Sequence, residues 1–337
     1  MQASTSAARV GIILRRGGFT NLAQMLAGSR TQSTGGTMQT VHAFLPETLR
    51  RRPRAAIFVS GSGSNAEKIL EYRRASGPPA FDAAAIVTDR PRQSRAEFLA
   101  KSYDLPLVTN DIRQFYKKHG EVRVSIATPR GQELRAQWTD ALREQLAPYG
   151  IDFGILAGFI PLTNLVADFP CLNVHPGDLT YVKEGRRYLV GLHTVPIERA
   201  ILEGLDTLRS SVILADPYSG QGEDMDAGPL LGLSEPVEVE LAGRKLSDLQ
   251  QVVWQRPAKR PRGGYGDDLE EVAFINQERL KKNGDWVVFP RVVADFARNA
   301  FGVDDQRGLH FRINDRWHPI KTVVYNSDGK ELVFRST

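Results

Sequence analysis

Apolar residues along this chain fall into short continuous runs separated by stretches with helical spacing, a pattern that predicts strands and helices in alternation. Ala55–Ser60 is a run of strand length, followed by Gly61-Ser62-Gly63-Ser64-Asn65 and then by a helical pattern over Ala66–Tyr72. Strand, glycine loop and helix open a βαβ unit. The alternation continues with a strand at Ala83–Val87, a helix at Arg95–Tyr103, a strand at Pro106–Thr109 and a longer helix at Arg130–Leu146, where Leu134, Trp138, Leu142 and Leu146 share one face. A central parallel strand is expected within Ile151–Phe159, a helix over Leu162–Phe169 and a short strand at Asn173–His175. Further helices are expected at His193–Leu202, Leu246–Gln255 and Leu269–Ala300, the last broken near Asn283-Gly284 and Pro290. Further strands are expected at Ser210–Ala215, Leu309–Ile313, Lys321–Tyr325 and Glu331–Phe334, and Arg256–Gly266 reads as a basic, Pro/Gly-rich loop without order.

The predicted fold class is therefore α/β, a doubly wound and mostly parallel sheet with a small C-terminal extension of helices and short strands. Three segments are expected: a disordered or transit-like basic stretch at 1–54, the α/β core at 55–245, and a C-terminal part at 246–337 that completes the substrate site. Ordered structure is expected to begin at Ala55. Ligands of such sheets bind beyond the carboxyl ends of the strands. That rule brings Gly61–Asn65, Gly158–Leu162 and Asn173–His175 to one crevice.

Composition narrows the chemistry. The single cysteine, Cys171, excludes an internal disulfide framework and a cysteine-based zinc site. The net charge of +5 resides in the first 54 residues, which hold eight arginines and one acid, Glu47, so the rest of the chain is close to neutral and no nucleic-acid partner is expected. No apolar run approaches the roughly 20 residues of a membrane-spanning helix, so no membrane partner is expected either. Residues 1–46 lack Asp and Glu and set Arg9, Arg15 and Arg16 around Val10–Leu14, which is the composition of a transit peptide. A tail, or an extension ahead of Met38, fits the same residues. The expected location is cytoplasmic, or organellar if residues 1–37 are a targeting segment.

Candidate chemistry centres on Cys171-Leu172-Asn173-Val174-His175-Pro176-Gly177. Alternation along a strand sends Asn173 and His175 to the same side, where an amide and an imidazole can reach one reacting atom. Taken alone, the pair fits a buried histidine and a turn residue equally well. Gly61–Asn65 places backbone N–H groups at a helix N-terminus, a geometry that holds anions. The same glycines, with Ala66 and Asp89, also match the G-x-G-x-x-G/A spacing of a dinucleotide site, so an NAD(P)-dependent oxidoreductase is a distant alternative. Glu223, Asp224 and Asp226 form an acidic loop without calcium-loop spacing.

Taken in order, Gly61-Ser62-Gly63-Ser64-Asn65, Leu156-Ala157-Gly158-Phe159, Asn173-Val174-His175-Pro176, Gly191-Leu192-His193-Thr194 and Asp226-Ala227-Gly228-Pro229 resemble the motifs of the folate-dependent formyltransferases. Among these, the phosphoribosylglycinamide (GAR) formyltransferases are the most similar, over about Ala55 to Asn299. The resemblance implies 10-formyltetrahydrofolate as co-substrate, small-molecule substrates and no metal. It implies a catalytic trio of Asn173, His175 and Asp226, with Gly63, Ser64 and Asn65 on the substrate phosphate and Glu278 on its ribose. Phe159, Ile160, Leu162 and the 222–227 loop, with Asp226, would border the pterin. Formyl transfer passes through a tetrahedral oxyanion, for which Asn173 and a protonated His175 are suitable donors and Asp226 a proton relay.

Departures from the family pattern fall around the acceptor. Gly177-Asp178-Leu179-Thr180 replaces the usual Ser-Leu-Leu-Pro, Pro161 stands where an arginine is common, and the connection near Asn283–Trp286 is lengthened. Arg307–Thr337 has no counterpart in the pattern. Lys183, Arg186 and Arg187, expected beside the acceptor, could recognise a different anionic amine, which keeps open an N-formyltransferase for another amine such as a nucleotide-linked amino sugar.

Overall fold

The computed structural model describes residues 40–192, 194–217, 226–261 and 263–335. Strand β1 (Val41–Ala43) leads to β2 (Arg54–Phe58), helix α1 (Ser64–Ala75), β3 (Asp82–Thr88), α2 (Ala96–Tyr103) and β4 (Leu107–Thr109). Helix α3 (Ile112–Lys118), absent from the sequence-based expectation, starts on Asp111, whose carboxylate accepts from the N–H groups of Arg113 and Gln114. Helix α4 (Pro129–Leu146) is capped by Thr128 with proline in its first turn, and it buries Leu134, Trp138, Leu142 and Leu146 as its spacing requires. Next come β5 (Phe153–Leu156), buried at every position, and β6 (Cys171–His175). Between them, the expected helix over Leu162–Phe169 is a single 3₁₀ turn at Asn164–Ala167.

A small hairpin of β7 (Val182–Lys183) and β8 (Arg186–Arg187) precedes α5 (Val195–Leu202), β9 (Thr207–Leu208), β10 (Ser211–Leu214), β11 (Leu230–Ser234) and β12 (Val237–Glu238). Helices α6 (Leu246–Trp254), α7 (Asp268–Leu280) and α8 (Trp286–Ala297) lead into β13 (Phe301–Asp304), β14 (Leu309–Ile313), β15 (Arg316–Tyr325) and β16 (Lys330–Phe334).

Among the described residues the main sheet has 12 strands in the order β1-β13-β14-β15-β11-β10-β6-β5-β2-β3-β4, with β16 paired to β15. The stretch from β6 to β4 is wholly parallel, whereas β10 runs antiparallel to both β6 and β11. Helices cover both faces. Ile57, Ile86 and Phe153 pack with α1, α2 and α8 on one side, while Phe58, Val87 and Cys171 pack with α3 and α4 on the other. The chain leaves β2 toward β3 and returns to β5 on its opposite flank, so the loops after β2 and β5 diverge and leave a crevice between them.

Several differences from the expected pattern have physical causes. Ordered chain is already present at β1, ahead of Ala55, because Val41–Ala43 pairs with β13 and Asn299 closes the edge through two hydrogen bonds to Leu45. The α7–α8 connection is not a break but a π-helical turn at Lys281–Asp285, and it tolerates Pro290 four residues into α8. The 256–266 loop is tied down, since Arg256 holds Asp267 at 2.7 and 2.8 Å and Glu198 at 2.6 Å. In the C-terminal part, β15 lies parallel to β11 inside the main sheet.

Candidate active site

His175 ends β6 with its side chain 4% exposed. Its Nε2 lies 2.7 Å from the Leu189 carbonyl. A carbonyl only accepts, so Nε2 carries the hydrogen and the tautomer is fixed. Nδ1 then faces Asp226, whose Oδ2 is 3.5 Å away. Gly177 makes this approach possible, because a Cβ there would stand 2.5 Å from the Leu189 oxygen and 3.1 Å from His175 Nε2. Asn173, half-buried and two residues earlier on β6, lies on the same face as His175.

Asp226 is positioned through its backbone. Arg187, at the end of the 178–190 segment, donates from Nη1 to the carbonyl of Asp226 and, at 3.0 Å, to that of Gly228. Burial pulls the Arg187 guanidinium below its ordinary value against the attraction of Asp226 and Asp216. Lys183 is held by Glu203 at 2.7 Å and sits over the Tyr188 ring. Of the three basic residues expected beside the acceptor, Arg187 and Lys183 thus have partners within the protein, and Arg186 is exposed.

The glycine loop enters α1 through Gly63, whose φ of 66° is the left-handed conformation glycine adopts without strain. The first helical bond is Glu67 N–H to Gly63 O, so the N–H groups of Ser64, Asn65 and Ala66 head the helix without helical partners. The Asn65 side chain takes another direction: its Nδ2 donates to Asp285 Oδ2 at 3.1 Å. Asp285 also accepts from Ser210 Oγ at 2.6 Å. Burial holds its carboxyl above the ordinary 3.8, outweighing the Ser210 and Asn65 hydrogen bonds and the attraction of Lys281 and His175. Glu278 is paired with Lys281.

Among the residues expected to border the pterin, Ile160 is exposed, and its N–H donates to Ser60 Oγ at 2.9 Å. Phe159 packs edge-on to Phe58, and the Leu162 carbonyl accepts from Arg135 at 2.8 Å. Asp89 is fully buried and accepts from Ser60 Oγ at 2.5 Å, so it braces the loop after β5 and is closed to a ribose. That placement removes the dinucleotide reading. Among the described residues, no group of three or more His, Cys, Asp or Glu is placed to hold a metal ion. His193, Glu223, Asp224 and the transit-like stretch of residues 1–37 lie outside the described residues.

The structure thus brings together His175 and Asp226, and it links Asn65 of the glycine loop to Asp285 and, through it, to Ser210. Sequence reasoning missed Asp285, Ser210 and the Leu189 carbonyl; only the lengthened connection near Asn283–Trp286 pointed to that region.

No family model matches the chain. It is 32% identical over 252 residues to the chloroplastic phosphoribosylglycinamide formyltransferase of Arabidopsis thaliana, covering 70% of each protein. The chain belongs to the phosphoribosylglycinamide formyltransferase family. It is a folate-dependent formyltransferase, with a folate co-substrate. Solved phosphoribosylglycinamide formyltransferases share the fold: that of Anaplasma phagocytophilum superposes with a TM-score of 0.50 at 17% identity, covering 81% of this chain and 99% of that one. The enzyme of Coxiella burnetii gives 0.50 at 16% identity, covering 82% and 100%. Among the described residues of this family member, no helix is long and apolar enough to cross a membrane.

Proposed function

We propose that the protein transfers the formyl group of 10-formyltetrahydrofolate to the amino group of phosphoribosylglycinamide, with Asn173, His175 and Asp226 around the reacting atoms. The observation that carries this reading is the fixed His175 ring, with Nε2–H on Leu189 and Nδ1 toward Asp226. The acceptor amine attacks the formyl carbon, and the carbonyl oxygen becomes an oxyanion. Asn173 supplies an amide donor to that oxygen. With Nε2–H committed to Leu189, His175 acts through Nδ1, which shares the amine proton with Asp226 as a transient imidazolium and gives it back on its way to N10. The amine proton passes through Asp226, directly or by water, to N10 as the C–N10 bond breaks, so formyl and proton exchange carriers.

Because Asn65 is committed to Asp285, the substrate phosphate falls to the backbone N–H groups of Gly63, Ser64 and Asn65, with Glu278 on the ribose. Phe159, Ile160 and Leu162 line the pterin. The His175→Ala variant is expected to keep its fold and folate binding while turnover falls roughly 10²-fold or more. Wild-type turnover in a mass-spectrometric transfer assay would remove His175 from the mechanism.

A second reading rests on the departures around the acceptor, Gly177-Asp178-Leu179-Thr180 and the exposed Arg186: an acceptor with a different amine, such as a nucleotide-linked amino sugar. Formyl transfer to that acceptor but not to phosphoribosylglycinamide decides for it. The acid-free N-terminal segment, together with the chloroplastic name of the Arabidopsis relative, supports an organellar address for residues 1–37 over a cytoplasmic one. A fluorescent fusion of those residues that stays in the cytosol would reverse that assignment.

A further inference from the structure

Two segments that depart from the family pattern meet on one surface. The 178–190 segment and the strands after Asn299 enclose a groove of about 610 Å³ next to Pro229, three residues beyond Asp226. Its apolar wall includes Leu179, Leu309 and Ile320, all buried. Its charged lining is Arg187, Arg307, Lys321 and Arg335, and among the described residues no Asp or Glu lines it.

The way these cations are held decides what the groove attracts. Arg335 donates to the carbonyls of Ile320 at 3.1 Å and Leu309 at 2.9 Å, and Arg187 donates to the carbonyls of Asp226 and Gly228. Carbonyls fix a guanidinium without cancelling its charge. The acid paired with Arg335 is Asp304, whose Oδ2 stands at a loose 3.8 Å while its Oδ1 accepts from the N–H groups of Gln306 and Gly308. Arg307 and Lys321 are exposed. Two oriented arginines and two exposed cations beside an apolar floor outnumber the acids near them, Asp304 and Asp226, and are suited to several oxyanions on one small molecule.

We propose that this groove is a second ligand site, for a small molecule bearing two or more phosphate or carboxylate groups. Its ligand is distinct from the acceptor and folate bound around His175. Because Arg187 both lines the groove and holds the backbone of Asp226, an anion there bears on the loop that carries Asp226.

Isothermal titration calorimetry of the full chain with inorganic pyrophosphate and, separately, citrate tests the site. Binding of one or both is expected, and the tighter of the two identifies phosphate or carboxylate as the source. The double variant Arg307→Gln/Lys321→Gln should weaken that binding about tenfold or more without lowering the melting temperature. A control variant, Arg113→Gln/Lys118→Gln on α3 at the opposite end of the sheet, should bind as the wild type does. Three results overturn the proposal: no heat with either anion at millimolar concentration, full affinity in the groove variant, or an equal loss in the control. The second would place the anion at the α1 loop, and the third would mean attraction by net charge alone.

Discussion

Gly177 occupies the position where the family pattern has serine, and the site depends on its missing side chain. In a Gly177→Ala variant the new methyl meets the Leu189 carbonyl, which is backbone and cannot swing aside. The expected cost is about 1–3 kcal/mol of stability, with a fall in kcat as the His175 ring loses its tether. Wild-type kcat in that variant would show the Leu189 contact to be dispensable. Asp285 offers a second test, through pH. Its folded-state carboxyl is held above 3.8, so the folded protein keeps a proton that the unfolded chain releases. Stability contributed by this group is therefore lost as pH rises from about 4 toward the folded-state value. Asp285→Asn should gain on the wild type in urea midpoint as pH rises through that range; parallel profiles would mean that Asp285 is not the group responsible. The two residues differ in how they could be read. Asn173 and His175 are legible because two-residue alternation on a strand is a local rule. Asp285 is not, because its partners Asn65 and Ser210 lie 220 and 75 residues away, while Asn283-Gly284 beside it signals a helix end.

At the level of elements, the parallel half of the sheet follows from apolar runs that are buried at nearly every position, and the sequence placed those strands within a few residues. Strand β11 escaped notice because glycine interrupts Leu230-Leu231-Gly232-Leu233-Ser234. In the fold that glycine has a packing reason: a Cβ would stand 2.4 Å from Val292, so its absence lets α8 lie close on the sheet. The full length of β15 was also hidden, since Asn314 and Asp315 make a two-residue turn with φ of 47° and 60° and no glycine to mark it. These strands are structural partners of the core: Phe301, Phe311, Ile320 and Val323 belong to the same cluster as Ile57 and Phe153. Truncation after Asn299 is therefore expected to abolish the cooperative melting transition and bare the edges of β1 and β11, giving aggregated protein. A soluble truncation with a sharp melt and full activity would make the strands an accessory.

Across the whole molecule, charge and topology divide the labour. The described body is nearly neutral, while the cationic groove forms only where the 178–190 segment reaches the C-terminal strands, a junction that no local pattern announces. Likewise the main sheet is closed by chain ends: β1 opens the described chain, yet its partner β13 comes near the finish, and Leu45 waits for Asn299, 254 residues on. A ribosome working at about 5–20 residues per second needs roughly 10–50 s to cover that distance. For that long the newborn strand is without β13, its partner among the described residues. The timing of synthesis, rather than final stability, is then what exposes this protein to misassembly.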